Sequence, residues 1–192
     1  MLAGAGALIV AVTDVGGGVR DDAGLDVVRL RRFLEETGSI AGAPGTRPID
    51  NETLFALDVD VLVLAALEGQ ITAANAGSVR ARILAEAANG PTTPDADPIL
   101  ANNGVAVIPD ILCNAGGVVV SYYEWVQNRQ GHAWTADEVS QRLERTMVAA
   151  AEAVWARAAA DGLPPRLAAQ VIAVERVAEA TALRGGWTVS QR

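Results

Sequence analysis

The run Ile108-Pro109-Asp110-Ile111-Leu112-Cys113-Asn114-Ala115-Gly116-Gly117-Val118-Val119-Val120-Ser121-Tyr122-Tyr123-Glu124-Trp125-Val126-Gln127-Asn128 carries a strand–turn–helix signal. Its apolar start predicts a buried strand, Asn114 and the Gly116-Gly117 pair a tight turn, and the rest a helix. In an open α/β sheet, ligands bind at the carboxyl ends of the strands. Glycine there lets backbone approach a ligand closely, and Asn offers both a donor and an acceptor. A second turn of the same chemistry lies upstream, at Glu86-Ala87-Ala88-Asn89-Gly90-Pro91-Thr92-Thr93-Pro94.

The flanking sequence repeats the pattern. Ala7 to Val12 is a continuous apolar run ending at Thr13-Asp14, as suits a strand covered on both faces. Val59–Leu64, Ile83–Ala87 and Val105–Pro109 read the same way. Gly16-Gly17-Gly18 and Asp21-Asp22-Ala23-Gly24 read as turns, and Ala41–Pro48 as a Gly/Pro loop. Val27–Thr37 reads as a helix with Val27, Leu30 and Leu34 on one face and Gly38 as its stop. Asp95–Asn102 suits a short helix. Longer helices are expected over Asn114–Asn128, Thr135–Ala160 and Pro165–Leu183, with a capping box at Thr135-Ala136-Asp137-Glu138 and a stop and restart at Asp161-Gly162-Leu163-Pro164-Pro165. Strands alternating with helices predict an α/β fold with a doubly wound, mostly parallel sheet and C-terminal helices.

The 192 residues suit one domain, and half of them are apolar. The net charge of -8 argues against a nucleic-acid partner. The single cysteine, Cys113, excludes an internal disulfide and fits a reducing, cytoplasmic setting. The apolar N-terminus has no basic leader and is too short to span a bilayer, so neither a signal peptide nor a membrane anchor is expected. All 15 basic residues are Arg, and Lys is absent. Lys can shed its proton when buried, whereas Arg cannot. Chemistry that needs an amine base must therefore draw on another protein segment.

Gly4-Ala5-Gly6 is not a dinucleotide fingerprint. Ile9 stands where the third small residue belongs, and Asp14 lies much nearer than the roughly 20 residues such a fingerprint requires. These glycines are expected to end a helix ahead of the first strand. His132, in Gln130-Gly131-His132, reads as surface loop, and no metal-ligand spacing is present. Cys113 reads as a small buried side chain, and Trp125, Trp134, Trp155 and Trp187 as packing anchors.

Asn89-Gly90-Pro91-Thr92-Thr93-Pro94, Asn114-Ala115-Gly116-Gly117-Val118 and Ser121-to-Asn128, in this order and spacing, resemble the cofactor-binding domain of glutamate dehydrogenase, in the Glu/Leu/Phe/Val dehydrogenase family. The closing run Val171–Ala180 is similar to the family's C-terminal helix, so the resemblance extends from about Leu2 to Trp187. It implies a single, partial, Rossmann-like dinucleotide-binding domain over 1–192, with 135–192 as a helical extension. It further implies that the family's first strand and glycine-rich phosphate loop precede Met1. Leu64, Gly69 and Ala87 depart from the family's common Pro, Asn and Gly.

What the resemblance implies for function follows residue by residue. Asp14 matches the acidic residue that bonds the adenosine ribose, which favours NAD over NADP. Ala65 and Ala66 match positions lining the cofactor cleft, and Asn89 and Asn114 match contacts to the nicotinamide-ribose end. Val118 and Ser121 share a helix face that meets the substrate, and the matching Ser holds the side-chain carboxylate of glutamate. The family oxidises L-glutamate to 2-oxoglutarate and ammonia, with its catalytic Lys and Asp in a separate domain. No catalytic residue is therefore expected in this chain, which acts on L-glutamate only with a complementing domain. Read as isolated residues, Asp14 is equally a strand-ending turn residue, Asn89 and Asn114 fit turn formers better than cofactor contacts, and Ser121 fits a helix Ser bonded to its own backbone. A rival reading is a non-catalytic interaction protein or split-enzyme subunit, forming homo- or hetero-oligomers with dehydrogenase chains.

Overall fold

A computed structural model describes residues 2–184. The chain folds into two compact units that alternate along the sequence. Of the described residues, 2–62, 71–82 and 93–105 make the first, and 63–70, 83–92 and 106–184 make the second.

The first unit opens with a 3-10 turn, Ala3–Ala5, closed by Gly6 at φ 91°. That left-handed geometry suits glycine, so Gly6 ends a helical turn as the sequence predicts. β1 (Ala11–Asp14), β2 (Gly17–Arg20) and β3 (Arg47–Ile49) follow as an antiparallel sheet in the order β1-β2-β3. Here the sequence reading of a triple-glycine turn is corrected: only Val15-Gly16 turn, and Gly17 and Gly18 pair with Asp14 and Thr13. Steric room explains it. A Cβ on Gly18 would collide with the Thr13 side chain and lie 2.8 Å from the Ile49 carbonyl oxygen. The loop expected over Ala41–Pro48 likewise ends early, because Arg47 and Pro48 join edge strand β3, where proline is tolerated.

α1 (Val27–Thr37) starts at Asp26, whose carboxylate accepts from the Arg29 N–H at 2.9 Å, and stops at Gly38. Only Leu30 of its expected apolar face is buried; Phe33 packs beside it, while Val27 and Leu34 are 41% and 39% exposed. Leu30 joins Val19, Leu25, Ile40 and Ala43 in the core of this unit. α2 (Asn51–Phe55) and α3 (Asp97–Asn102) complete it.

β4 (Val61–Leu64), β5 (Ile83–Glu86) and β6 (Ala106–Ile108) form the second sheet, in the order β4-β5-β6. β5 and β6 are parallel, with Ile83 opposite Ala106 and Ala85 opposite Ile108. β4 alternates: Leu62 and Leu64 are buried, but Val61 and Val63 are 48% and 37% exposed. Its apolar run therefore does not mark burial on both faces.

Beyond β6 the expected strand stops short. Pro109 has no N–H for the ladder, and it leads directly into α4 (Asp110–Cys113). Asn114 and the two glycines thus lie a helical turn beyond the strand end. α5 (Gly116–Gln130), α6 (Ala136–Asp161) and α7 (Pro165–Leu183) follow. Thr135 and Glu138 form the capping box in full: Glu138 Oε2 accepts from the Thr135 N–H at 2.7 Å, and Thr135 Oγ1 from the Glu138 N–H at 3.3 Å. Leu112, Val154, Ala168 and Ala169 bury the junction of α4, α6 and α7, where alanines let the helix backbones approach. None of the described helices is long and apolar enough to cross a membrane.

Candidate functional site

The loops that leave β4, β5 and β6 are tied together in the second unit. The Ala88 N–H donates to the Leu64 carbonyl at 2.8 Å, and the Gly69 N–H to the Gly90 carbonyl at 2.9 Å. Ala65 and Ala66 follow β4 directly and are exposed, so their small side chains leave backbone accessible beside this junction. Asn114 Nδ2 donates to Asn89 Oδ1 at 2.7 Å and to the Ala88 carbonyl at 3.3 Å. A carboxamide has two donor hydrogens and one acceptor oxygen. Asn89 Nδ2 and Asn114 Oδ1 therefore stay open, with no partner among the described residues.

Beneath this pair sits a charged network that sequence reasoning missed. Glu86, the last residue of β5, is fully buried. Its Oε1 accepts from Arg166 Nη2 at 2.7 Å, and its Oε2 accepts from Arg166 Nη1 at 3.0 Å and the Asp110 N–H at 2.8 Å. Arg166 Nη1 also donates to Asp110 Oδ1 at 3.1 Å, while Asp110 Oδ2 accepts from the Gly90 N–H at 2.8 Å. Burying a carboxylate is costly unless it is paired and hydrogen-bonded, and Glu86 is both. The available signal was a mismatch of type and place. A charge ends the apolar run Ile83-Leu84-Ala85, and a cation opens α7, where the helix dipole disfavours it.

Cys113 is half-buried, and burial, then the charge of Glu86, push its thiol pKa up. A raised pKa opposes thiolate chemistry. The Thr92 hydroxyl is buried with no hydrogen-bond partner among the described residues.

Val118 and Ser121 lie on α5, and Val118 is 75% exposed. The Ser121 hydroxyl donates to the Gly117 carbonyl at 3.0 Å, the local helix bond. Trp125, expected as an anchor, is 56% exposed, stacked on Tyr122 with the Arg129 guanidinium 5.5 Å from its ring centroid. Trp155 is also exposed. Trp134 is half-buried, with Arg142 at 4.1 Å from its ring centroid. Trp187 lies outside the described residues. His132 is exposed, as expected of a loop.

Asp14 belongs to the first unit, at the β1–β2 turn. Its carboxylate accepts from the Ile40 N–H at 2.9 Å, the Gly16 N–H at 2.7 Å and the Ser39 hydroxyl at 3.1 Å. The Ile40 bond is the largest influence and lowers its pKa; burial opposes it, and the weaker bonds from Gly16, Ser39 and Gly17 add to the lowering. Asp14 is thus a fully ionised, oriented acceptor at neutral pH.

The family model for Glutamate/Leucine/Phenylalanine/Valine dehydrogenase matches residues 1–185. The chain belongs to this family. It is 48% identical to the NADP-specific glutamate dehydrogenase A1 of Halobacterium salinarum, over 97% of this chain and 45% of that protein. It is 44% identical to the catabolic NAD-specific glutamate dehydrogenase of Bacillus subtilis, over 94% of this chain and 42% of that one. The structure superposes on a hetero-hexameric glutamate dehydrogenase from Thermus thermophilus with a TM-score of 0.89 at 37% identity, covering 96% of this chain and 44% of the other. As a member of the dehydrogenase family, the chain spans less than half the length of these relatives.

Proposed function

We propose that this chain is the nicotinamide-cofactor portion of a glutamate dehydrogenase, a single binding domain with a helical extension from residue 135. The observation that carries the reading is the Asn89–Asn114 pair, which leaves one donor and one acceptor open beside the ends of β5 and β6. An open donor and acceptor suit the complementary amide of a nicotinamide, so these residues fit the group. Ala65 and Ala66 would let a ring or ribose lie against backbone. In the first unit, Asp14 would accept a ribose hydroxyl and repel a 2′-phosphate, which favours NAD over NADP. When bound, the cofactor accepts hydride from Cα of L-glutamate. Val118 would pack against the substrate, and the Ser121 hydroxyl would turn from Gly117 to its side-chain carboxylate.

The proton-moving amine must come from elsewhere, since the 192 residues contain no Lys. We therefore expect no glutamate-dependent NADH or NADPH production by the purified chain. Activity should emerge when a separately produced, lysine-bearing half of a relative is added. Turnover by the chain alone contradicts the reading.

One observation favours a second reading, a non-catalytic subunit that associates with dehydrogenase chains. Val118, Tyr122 and Trp125 are exposed along one face of α5, and Val174 and Val177 are exposed on α7; an exposed apolar helix face commonly marks an interface. Co-purification with a full-length relative supports this, and a monodisperse monomer that ignores the relative opposes it.

A further inference from the structure

We propose that Arg166 is a positioning residue that sets the geometry of the Asn89–Asn114 pair through Glu86 and Asp110. The inference rests on the cofactor reading above for its functional consequence, but not for its structural one.

The connection is continuous. Arg166 grips both oxygens of Glu86 and, through Nη1, reaches Asp110 Oδ1. Glu86 in turn accepts from the Asp110 N–H, so β5 and the start of α4 are joined twice. Asp110 Oδ2 accepts from the Gly90 N–H, which anchors the turn carrying Asn89. The other end of α4 leads into Asn114, whose N–H donates to the Asp110 carbonyl at 3.1 Å. Both asparagines are thus placed by neighbours of one guanidinium.

Charge and shape both matter here. A guanidinium presents planar, forked donors, whereas an ammonium is a point charge. Only a fork spans two oxygens of Glu86 and one of Asp110 at these distances. Its place in the first turn of α7 opposes the helix dipole, so local helix stability does not account for it. Glu86 is fully buried and Arg166 mostly so, which protects the link from solvent screening.

The test uses the ¹⁵N-labelled 192-residue chain, with wild type, Arg166→Met and Arg166→Lys compared. Side-chain amide signals of Asn89 and Asn114 are assigned by their loss in Asn89→Ala and Asn114→Ala. We expect Arg166→Lys to fold and recover part of the thermal stability lost in Arg166→Met, yet to leave both Asn signals displaced from wild type. NAD affinity should fall about tenfold or more in Arg166→Lys, as expected when a binding pair loses preorganisation. If Arg166→Met does not fold, the Lys variant decides. Asn signals at their wild-type positions in Arg166→Lys would overturn the proposal, because charge neutralisation alone would then suffice. Wild type that binds neither NAD nor NADP defeats the cofactor reading, and the amide signals still decide the positioning claim in the unliganded chain.

Discussion

Two residues test the local physics most cleanly. The Thr92 hydroxyl is buried without a partner among the described residues, and an unmade buried hydrogen bond costs about 1–3 kcal/mol. Thr92→Val keeps the shape and removes the orphan, so the unfolding free energy should be unchanged or rise by about 1 kcal/mol. A loss of 1 kcal/mol or more in denaturant melts would show that the hydroxyl has a partner in solution. Asp14 titrates in the opposite sense to a stabilised cation. Its folded pKa lies below the unfolded value of about 3.9. The stability it contributes is therefore complete above that value and is lost as pH falls through the lower, folded one. Asp14→Asn should cost about 1 kcal/mol at pH 7, discounted for partial exposure. The difference from wild type should shrink as pH falls below the unfolded value and vanish once pH is below the lowered, folded one. A deficit that persists there would mean that the bonds to Ile40, Gly16 and Ser39 do not depend on charge.

At the scale of elements, the junction of α4, α6 and α7 is the most exacting. Leu112 comes from a stretch that reads as strand, yet it packs as a helix residue against Val154, Ala168 and Ala169. Leu112→Ala should cost about 2–4 kcal/mol by opening a cavity between three helices. A cost under 1 kcal/mol in equilibrium unfolding would place the helix contacts elsewhere. The α7 bounds, the capping box and the glycine stops at Gly38 and Gly162 were legible in the sequence because caps act through residues a few positions apart. Gly17 and Gly18 were not, because the reason for glycine there is the Thr13 side chain and the Ile49 carbonyl across two strand pairings. Leu112 was misread for the same cause: a short apolar run has no period of its own, and α6 and α7 decide what it becomes. The site divides in the same way. Asn89 and Asn114 announce themselves by turn chemistry, whereas Glu86 and Arg166 meet across 80 residues of chain.

At the scale of the molecule, the strands fall into two three-stranded sheets. β1 and β4 are each an edge of their sheet, with no further strand beside them among the described residues. Open edges invite pairing with other chains. The purified chain should therefore self-associate in a concentration-dependent way, detectable by light scattering. A monodisperse monomer at high concentration would show that these edges are covered.

The central claim is that the turns after β4, β5 and β6 form a seat for a nicotinamide dinucleotide. Calorimetric titration of the purified chain with NAD and NADP, repeated on Asn89→Ala and Asn114→Ala, tests it most directly. Saturable binding at one site per chain, weakened about tenfold or more by either substitution, is the predicted result; a good hydrogen bond lost from a binding site is worth roughly that much. No saturable binding of either dinucleotide, or binding indifferent to both asparagines, would contradict the claim.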